Sequence, residues 1–111
     1  MAALVVDGKT YDLEYSLEQL MNYERAGYPP VLLAVYNYQN MLSVTVLMGL
    51  LTYGLKAQDG DHLDPEEAGV IAGKILMSKG ADECVKRIMD ALRRDCGFLF
   101  KSLESEKPSK A

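Results

Sequence analysis

The side chains best suited to chemistry lie in a polar segment, KAQDGDHL, at residues 56–63. Asp59, Asp61 and His62 offer carboxylate and imidazole groups, which are common metal ligands. Their spacing departs from the EF-hand calcium loop, in which a glycine and a terminal glutamate occupy fixed positions. His62 is the single histidine of the chain. We predict no metal site here, and a metal-dependent enzyme using the acids of residues 59–67 is the alternative hypothesis.

Nucleophilic catalysis finds no support in the spacing of the remaining residues. Cys84 and Cys96 fall in one predicted helix, where twelve residues span about 18 Å. A disulfide requires Cα atoms within about 7 Å, so we predict two reduced thiols, as in a cytosolic protein. The sequence contains no Gly-rich phosphate loop and no CxxC or HxxxH spacing. We predict a protein that is not an enzyme, and assign no catalytic, cofactor-binding or metal-binding residue.

Charge limits the classes of partner. The 111 residues carry a net charge of -4 with a pI of about 4.9. This acidity disfavours nucleic acid, because phosphate binding needs a concentrated basic surface. The basic residues of the last predicted helix are Lys86, Arg87, Arg93 and Arg94. Asp90 and Asp95 are interleaved with them, so we interpret this cluster as a solvated face or a docking face for an acidic partner.

A stretch without charge occupies residues 26–55. A membrane span needs about 20 continuous apolar residues, but Pro29-Pro30 and the polar run 37–40 interrupt the stretch. The remaining part, residues 41–55, would form a helix of only about 22 Å. We therefore predict no membrane span, and expect protein to cover a helix that is apolar on every side. The N-terminal residues lack the basic start of a secretory signal, so we predict none.

Residues 2–15 predict a β-hairpin. Asp7-Gly8 is a preferred pair for a two-residue type I′ turn, in which both positions need positive φ. The pairs that this turn predicts are Val6 with Lys9, Leu4 with Tyr11, and Ala2 with Leu13. One face of the hairpin is then apolar, and because an isolated hairpin is marginal, that face must pack on helices or on another subunit's strands.

Apolar periodicity and capping residues predict helices at about 16–26, 30–39, 41–55, 65–79 and 82–100. We expect buried stripes at Leu17, Leu20 and Met21; at Leu32, Val35 and Tyr36; at Ala68, Ile71, Ala72, Ile75 and Leu76; and at Val85, Ile88, Met89, Leu92, Cys96 and Leu99. Glu24 continues the first stripe; we interpret it as an acid at a solvated helix end, and a buried acceptor is the alternative. The segment 30–39 could also form a strand.

Smaller features refine this outline. Asn40 is the predicted N-cap of the third helix, and Asp64-Pro65 starts the fourth. Gly69 and Gly73 lie four residues apart, which would permit a close helix contact. The i, i+4 ion pairs expected in the last helix are Glu83–Arg87 and Asp90–Arg94. The predicted fold is mainly α (α+β): an N-terminal β-hairpin followed by a small bundle of about five helices, with a single domain at 1–103 and a disordered tail at 104–111.

The order of four motifs carries a resemblance over residues 4 to about 100. The chain opens with DGKTYDL, continues with a short helix ending in ERAG, has an uncharged middle, and starts a later helix with DPEEA. In this order it resembles the tail assembly chaperones of long-tailed (siphovirus-type) bacteriophages and prophages. Those proteins tend to open with a DGK-x-Y-x-L hairpin and a short helix ending near E-x-x-G.

The resemblance implies a function without catalysis and without a cofactor. Such chaperones bind the long hydrophobic tape-measure protein before the tail tube polymerises, keep it soluble and help to recruit tail-tube protein. They act in the host bacterial cytoplasm and are shed before the virion is complete. Many are also made as a longer form by translational frameshifting.

The uncharged middle is the segment best suited to such a partner. If one face of residues 36–53 stays exposed, it would form an apolar surface that binds the tape-measure protein or another copy of the chain. The candidate partner-binding residues are Tyr36, Tyr38, Met41, Met48, Leu51 and Tyr53. The alternative is a small cytosolic homodimeric adaptor or regulatory protein that uses the same apolar helices to dimerise.

Overall fold

The computed structural model describes residues 4–41 and 43–100, with the side chains of residues 37–41 excepted. Within this part of the chain the elements are β1 (Leu4–Val6), β2 (Lys9–Leu13), α1 (Leu17–Arg25), α2 (Val31–Met41), α3 (Val44–Gly54), β3 (Leu55–Ala57), α4 (Pro65–Lys79), α5 (Ala81–Asp95) and a 3₁₀ helix (Gly97–Phe100). The predicted α+β class, a hairpin followed by a small bundle of five helices, is confirmed. The predicted tail at 104–111 and the predicted Ala2–Leu13 pair lie outside the described residues.

The hairpin adopts the register that its turn predicts. Leu4 pairs with Tyr11, and Val6 pairs with Lys9. Asp7 and Gly8 have φ of +51° and +81°, as a type I′ turn requires. The apolar face is buried at Leu4, Val6, Tyr11 and Leu13. A one-residue slip would bring the polar face into the core, so packing and turn enforce the same register.

A third strand, β3, was not predicted, since residues 56–63 were expected to form a polar loop. It pairs antiparallel with β2, with Tyr11 opposite Ala57 and Leu13 opposite Leu55. The hairpin is therefore completed within its own chain. Three residues are too few to show a period of two, which is why the sequence pattern missed the strand. The chain then turns back, and the Ala57 N–H donates to the Asp61 carbonyl at an N···O distance of 3.3 Å.

Helix α3 is the centre of the core. It packs against α1, α4, α5 and β2, and its buried side chains include Val46, Leu47, Leu50 and Leu51. It begins later than predicted, because the Ser43 Oγ accepts the Val46 N–H at 3.1 Å and so caps the first turn. The predicted N-cap, Asn40, lies inside α2. Most of α3 is thus covered by the rest of the chain, as expected for a helix that is apolar on every side.

Helix α1 is capped as predicted but buries a different face. The Ser16 Oγ accepts the Gln19 N–H at 3.2 Å, while the Gln19 amide reaches α3 and donates to the Tyr53 carbonyl at 2.7 Å. Leu20 and Tyr23 are buried, whereas Leu17 and Met21 are exposed. The predicted stripe was therefore wrong at Leu17 and Met21, because the bond from Gln19 and the packing of Tyr23 turn the opposite edge of α1 towards α3.

Glu24 at the end of α1 is exposed, as expected of an acid at a solvated helix end, and it also acts as a hydrogen-bond acceptor. A Glu24 carboxylate oxygen accepts the Val31 N–H at 2.8 Å, and Val31 is the first residue of α2. The carboxylate thus caps a helix start, where the backbone N–H groups lack partners of their own and negative charge is favoured. Gly27, with φ of +103°, reverses the chain between the two helices.

Helices α4 and α5 follow the predicted stripes and are joined at Gly80, whose φ is +89°. In α4, Ala68, Ala72 and Ile75 are buried, and Ile71 and Leu76 pack against the core. In α5, the residues predicted inward are buried at Ile88, Met89 and Leu92, and Val85 packs against them. Helix α5 ends at Asp95, earlier than predicted, because Cys96 leaves the helical region at φ -133°.

Three finer expectations about these helices have mixed outcomes. Gly69 has no atom of another element within 4 Å of where a Cβ would lie, whereas at Gly73 the Met48 Cε of α3 lies 3.9 Å from that position, which is ordinary van der Waals contact. Arg87 pairs with Glu83 at 2.9 Å as predicted. Arg94 instead bonds Asp95 at 2.7 Å and the Leu13 carbonyl at 2.6 Å, which ties α5 to β2. In the described part of the chain, no helix is long and apolar enough to cross a membrane.

Candidate partner-binding surface

The largest contrast between prediction and structure lies on α2. Val31, Ala34 and Val35 face the core, and α2 packs there against the 3₁₀ helix. The opposite side presents Leu32, Leu33 and Tyr36, which are 49%, 55% and 51% exposed. We call these three residues the α2 surface. The predicted inward stripe was correct at Val35 and wrong at Leu32 and Tyr36.

The electrostatics of this helix are unusual for a solvent-facing one. None of the eleven residues of α2 is charged, and neither end carries a charged side chain of its own. An amphipathic surface helix normally turns charged or polar residues to water. The 3₁₀ helix that packs on α2 also exposes an apolar side chain, that of Phe98. The α2 surface is therefore an exposed, uncharged apolar face in the first half of the helix, whereas the polar residues Asn37, Gln39 and Asn40 lie in its second half.

The start of α2 is positioned by a cluster of three tyrosines. The rings of Tyr23 and Tyr28 stack at a centroid distance of 5.1 Å, and Tyr53 meets Tyr28 edge-on at 6.3 Å. Tyr28 lies over Gly49 of α3, where a Cβ would come within 2.6 Å of its ring. The cluster joins α1, α3 and the segment that leads into α2.

One group in this cluster has no partner. Within the described residues, the Tyr23 hydroxyl is buried and makes no hydrogen bond. Burial, together with the nearby Glu24 carboxylate, raises the pKa of Tyr23 to about 12. A buried hydroxyl without a partner costs stability, so the favourable contribution of Tyr23 comes from the packing of its ring and not from its hydroxyl.

The six residues predicted as partner contacts do not form one face. Tyr36 lies on the α2 surface, and Tyr38 and Met41 belong to the same helix, but their side chains fall outside the described part. Met48 and Tyr53 of α3 are half-buried against the core. Leu51 is 1% exposed, so it is unable to contact a partner while the chain is folded. The α3 residues are enclosed because the sheet and three helices surround that element.

Leu32 and Leu33 are the surface residues that sequence reasoning missed. Residues 31–36 of α2 are apolar on both sides, so periodicity alone does not distinguish the inner face from the outer one there. Side-chain size is the signal that was available. The inner residues, Val31, Ala34 and Val35, are smaller, as close packing against a neighbouring element requires.

The side chains best suited to metal binding or nucleophilic catalysis are those of Asp59, Asp61, His62, Cys84 and Cys96. Asp59 and Asp61 are exposed, and a ring nitrogen of His62 lies 2.6 Å from the Glu14 carbonyl oxygen. No group of three or more His, Cys, Asp or Glu side chains is placed to hold a metal ion in residues 4–41 and 43–100. Cys84 and Cys96 are free and buried, and burial raises the pKa of both thiols.

No family model, curated protein or solved structure matches this chain. The α2 surface and the order of the sequence motifs are therefore the two observations that bear on function. The first is a property of the folded chain, and the second is a property of the sequence alone.

Proposed function

We propose that this protein is a tail assembly chaperone of a long-tailed bacteriophage or prophage. In this role it binds the tape-measure protein, keeps it soluble and assists the assembly of tail-tube protein around it. It acts in the cytoplasm of the bacterial host and leaves before the virion is complete. The proposal excludes catalysis, and nucleic acid and membrane are not its partners.

The observation that supports this proposal best is the half-exposed, uncharged α2 surface. Leaving large apolar side chains in water forgoes about 1.5–3 kcal/mol for each one that could be buried. A contiguous exposed apolar face is typical of a site that another protein covers. A long hydrophobic client with an apolar stripe on a helix would cover Leu32, Leu33 and Tyr36 without needing a charged group opposite α2.

Charging the α2 surface tests this role. The variant Leu32→Glu/Leu33→Glu places two carboxylates where the client would lose water, at positions that are already half exposed. The matched control, Leu17→Glu/Met21→Glu, adds the same charge to exposed apolar positions of α1. Each protein is co-expressed with the product of the neighbouring long tail gene, and the soluble fraction of that product is measured.

We expect the wild type and the α1 control to keep the client soluble, and the α2 variant to lower its soluble fraction several-fold. Equal solubility of the client without any chaperone would overturn the proposal. Urea unfolding of each variant shows whether its fold is intact, so a loss of binding is separable from a loss of structure.

The alternative, a homodimeric adaptor or regulatory protein, predicts a different result with the same variants. In that case the α2 variant would convert a dimer to a monomer in sedimentation, and the solubility of the tail gene product would not change. Gene context separates the two as well, since a chaperone gene should lie between the genes for tail-tube and tape-measure proteins.

A further inference from the structure

The two edge strands of the three-stranded sheet differ in whether backbone groups pair with their outer sides. The sheet order is β1-β2-β3, so β1 and β3 are its edges. The outer side of β3 is covered by the chain that follows it. The Leu63 N–H donates to the Leu55 carbonyl at 3.1 Å, and the backbones of Lys56 and His62 form an isolated antiparallel β-bridge. Among the described residues, nothing pairs with the outer side of β1.

The register shows which groups face this open side. Val6 and Lys9 flank the two-residue turn, so they form a hydrogen-bonded pair, and the next pair, Val5 with Thr10, is not hydrogen-bonded. The Thr10 carbonyl confirms this, since it points away from β1 and accepts the Gln58 N–H at 3.2 Å. The N–H and C=O of Val5 therefore point outward, in the plane of the sheet, where a further strand would lie.

A groove runs along this edge between β1 and α4. Its volume is about 460 Å³, and it is lined by Val5, Val6, Asp7, Lys74, Met77 and Ser78. Met77 is 88% exposed and Val5 is 62% exposed. Lys74 and Asp7 pair at 2.5 Å at the turn end of the groove, and Val5 and Met77 supply its exposed apolar side chains.

We propose that this groove binds a short extended segment of a partner protein, which adds to β1 as a fourth strand. The segment is uncharged and carries apolar side chains at successive positions. One of them lies beside Val5 on the outer face of the sheet, and its neighbour lies against Met77 on the helix side. The Val5 N–H and C=O bond to the backbone of the segment, as in other cases of strand addition.

The geometry favours an extended strand over a helix as the occupant. A helix satisfies its own backbone groups and would leave the Val5 N–H and C=O without partners. An added strand supplies a donor and an acceptor at the strand spacing of about 4.8 Å. The three residues of β1 include neither a charged residue nor a proline, the residue types that often protect edge strands from pairing.

The size of the site favours a peptide over a second copy of this chain. The three residues of β1 extend over about 10 Å. A patch of about 10 Å by 10 Å is far below the roughly 800 Å² that each partner contributes to a stable protein–protein interface. A volume of about 460 Å³ is instead within the range of small-ligand sites.

Selection from a displayed library of ten-residue linear peptides, with the full-length protein as target, tests the proposal. Recovered peptides are synthesised and titrated into the ¹⁵N-labelled protein. We expect the amide signals of Val5 and of α4 to shift on binding, and the Val5 amide to exchange more slowly with deuterium. The peptides should carry apolar residues at adjacent positions.

Two changes remove the backbone bonds. Val5→Pro deletes the outward N–H, and proline is tolerated at an edge position of this kind because the bonds to β2 do not use that group. Methylating alternate amide nitrogens of the peptide deletes the reciprocal donors and leaves the protein unaltered. We expect Val5→Pro, and methylation in one of the two alternate registers, to weaken binding at least tenfold.

The side-chain part of the site is tested by Met77→Ser, with Met21→Ser on α1 as its matched control. We expect Met77→Ser alone to weaken binding. Three results would overturn the proposal: no peptide recovered, recovered peptides that shift α2 and not Val5, or binding indifferent to both backbone changes. A dimer that dissociates on Val5→Pro would identify a second copy as the occupant. The proposed chaperone role rests on the α2 surface, which is on a different element. The results of these peptide-binding tests therefore do not depend on that role.

Discussion

The ring of Tyr15 lies directly against the backbone of Gly54, the last residue of α3. A Cβ at Gly54 would come within 2.6 Å of the Tyr15 hydroxyl oxygen. That hydroxyl donates a 2.6 Å hydrogen bond to the Leu50 carbonyl, and the Gly54 carbonyl accepts the Glu14 N–H at 2.9 Å. The end of the central helix and the end of the hairpin are thus joined through a contact that only glycine permits.

Gly54→Ala should therefore destabilise the protein. Because the ring is buried and its hydroxyl is bonded, it has little room to move, and overpacking of this kind costs about 1–3 kcal/mol. Gly69→Ala is the matched control, since nothing lies within 4 Å of its added Cβ. Removing a glycine from a helix interior there should raise the free energy of unfolding by about 0.5–1 kcal/mol. Urea unfolding measures both, and an unchanged midpoint for Gly54→Ala would contradict the contact.

Two buried tyrosines should respond in opposite ways to the loss of their hydroxyls. Tyr15→Phe removes the hydrogen bond to the Leu50 carbonyl and should cost about 1 kcal/mol. Tyr23→Phe removes a buried hydroxyl that has no partner among the described residues, so the variant should be as stable as the wild type or up to about 2 kcal/mol more stable. The comparison uses identical chemistry at two buried sites. Equal losses in the two variants would show that the Tyr23 hydroxyl is bonded.

Asp95 should make stability depend on pH in the acid range. The hydrogen bonds from Arg94, supplemented by the Tyr15 N–H at 2.9 Å, hold the pKa of its carboxyl below the ordinary value. The unfolded chain therefore takes up a proton first as the pH falls. The stabilisation is fully present above the unfolded pKa of about 3.9, and it is lost as the pH falls through the lower folded pKa.

Asp95→Asn should remove about 1 kcal/mol near pH 7, a figure kept small because the Arg94 side chain is partly exposed. The difference between wild type and variant should shrink as the pH falls below about 4. Asp90→Asn is the control, because Asp90 is exposed on α5. Contrary to the prediction, Arg94 pairs with Asp95 and not with Asp90. Urea unfolding between pH 3 and pH 7 provides the measurement. A constant difference across that range would contradict the linkage.

The candidate surface shows how far sequence reasoning reached. It identified the uncharged middle as the segment to examine, and it separated this segment into two helices. It then placed Leu51 among the partner contacts, although Leu51 is in the core, and it placed Leu32 in the core, although Leu32 is half exposed. Both errors have one cause: apolar residues lie on both sides of the first half of α2 and all round α3, so their periodicity gives no signal for the orientation of the helix.

Local chemistry determined several elements without help from the rest of the chain. Asp7-Gly8 specifies the turn and hence the register of the hairpin, because its two positive φ angles are open to few residue types. Asp64-Pro65 specifies the start of α4, and the stripes of α4 and α5 specify their buried faces. Each of these signals acts within a few residues along the chain, so it can be read in the sequence alone.

Tertiary structure alone decided the features that depend on distant partners. Strand β3 exists because β2 offers it a paired edge, and the inner side of α2 packs against the 3₁₀ helix, which lies far away in the sequence. The exposure of the α2 surface and the open side of β1 follow from the same long-range packing. Hydrogen bonds and close contacts between residues dozens of positions apart set these features, and no local pattern of residue types encodes them.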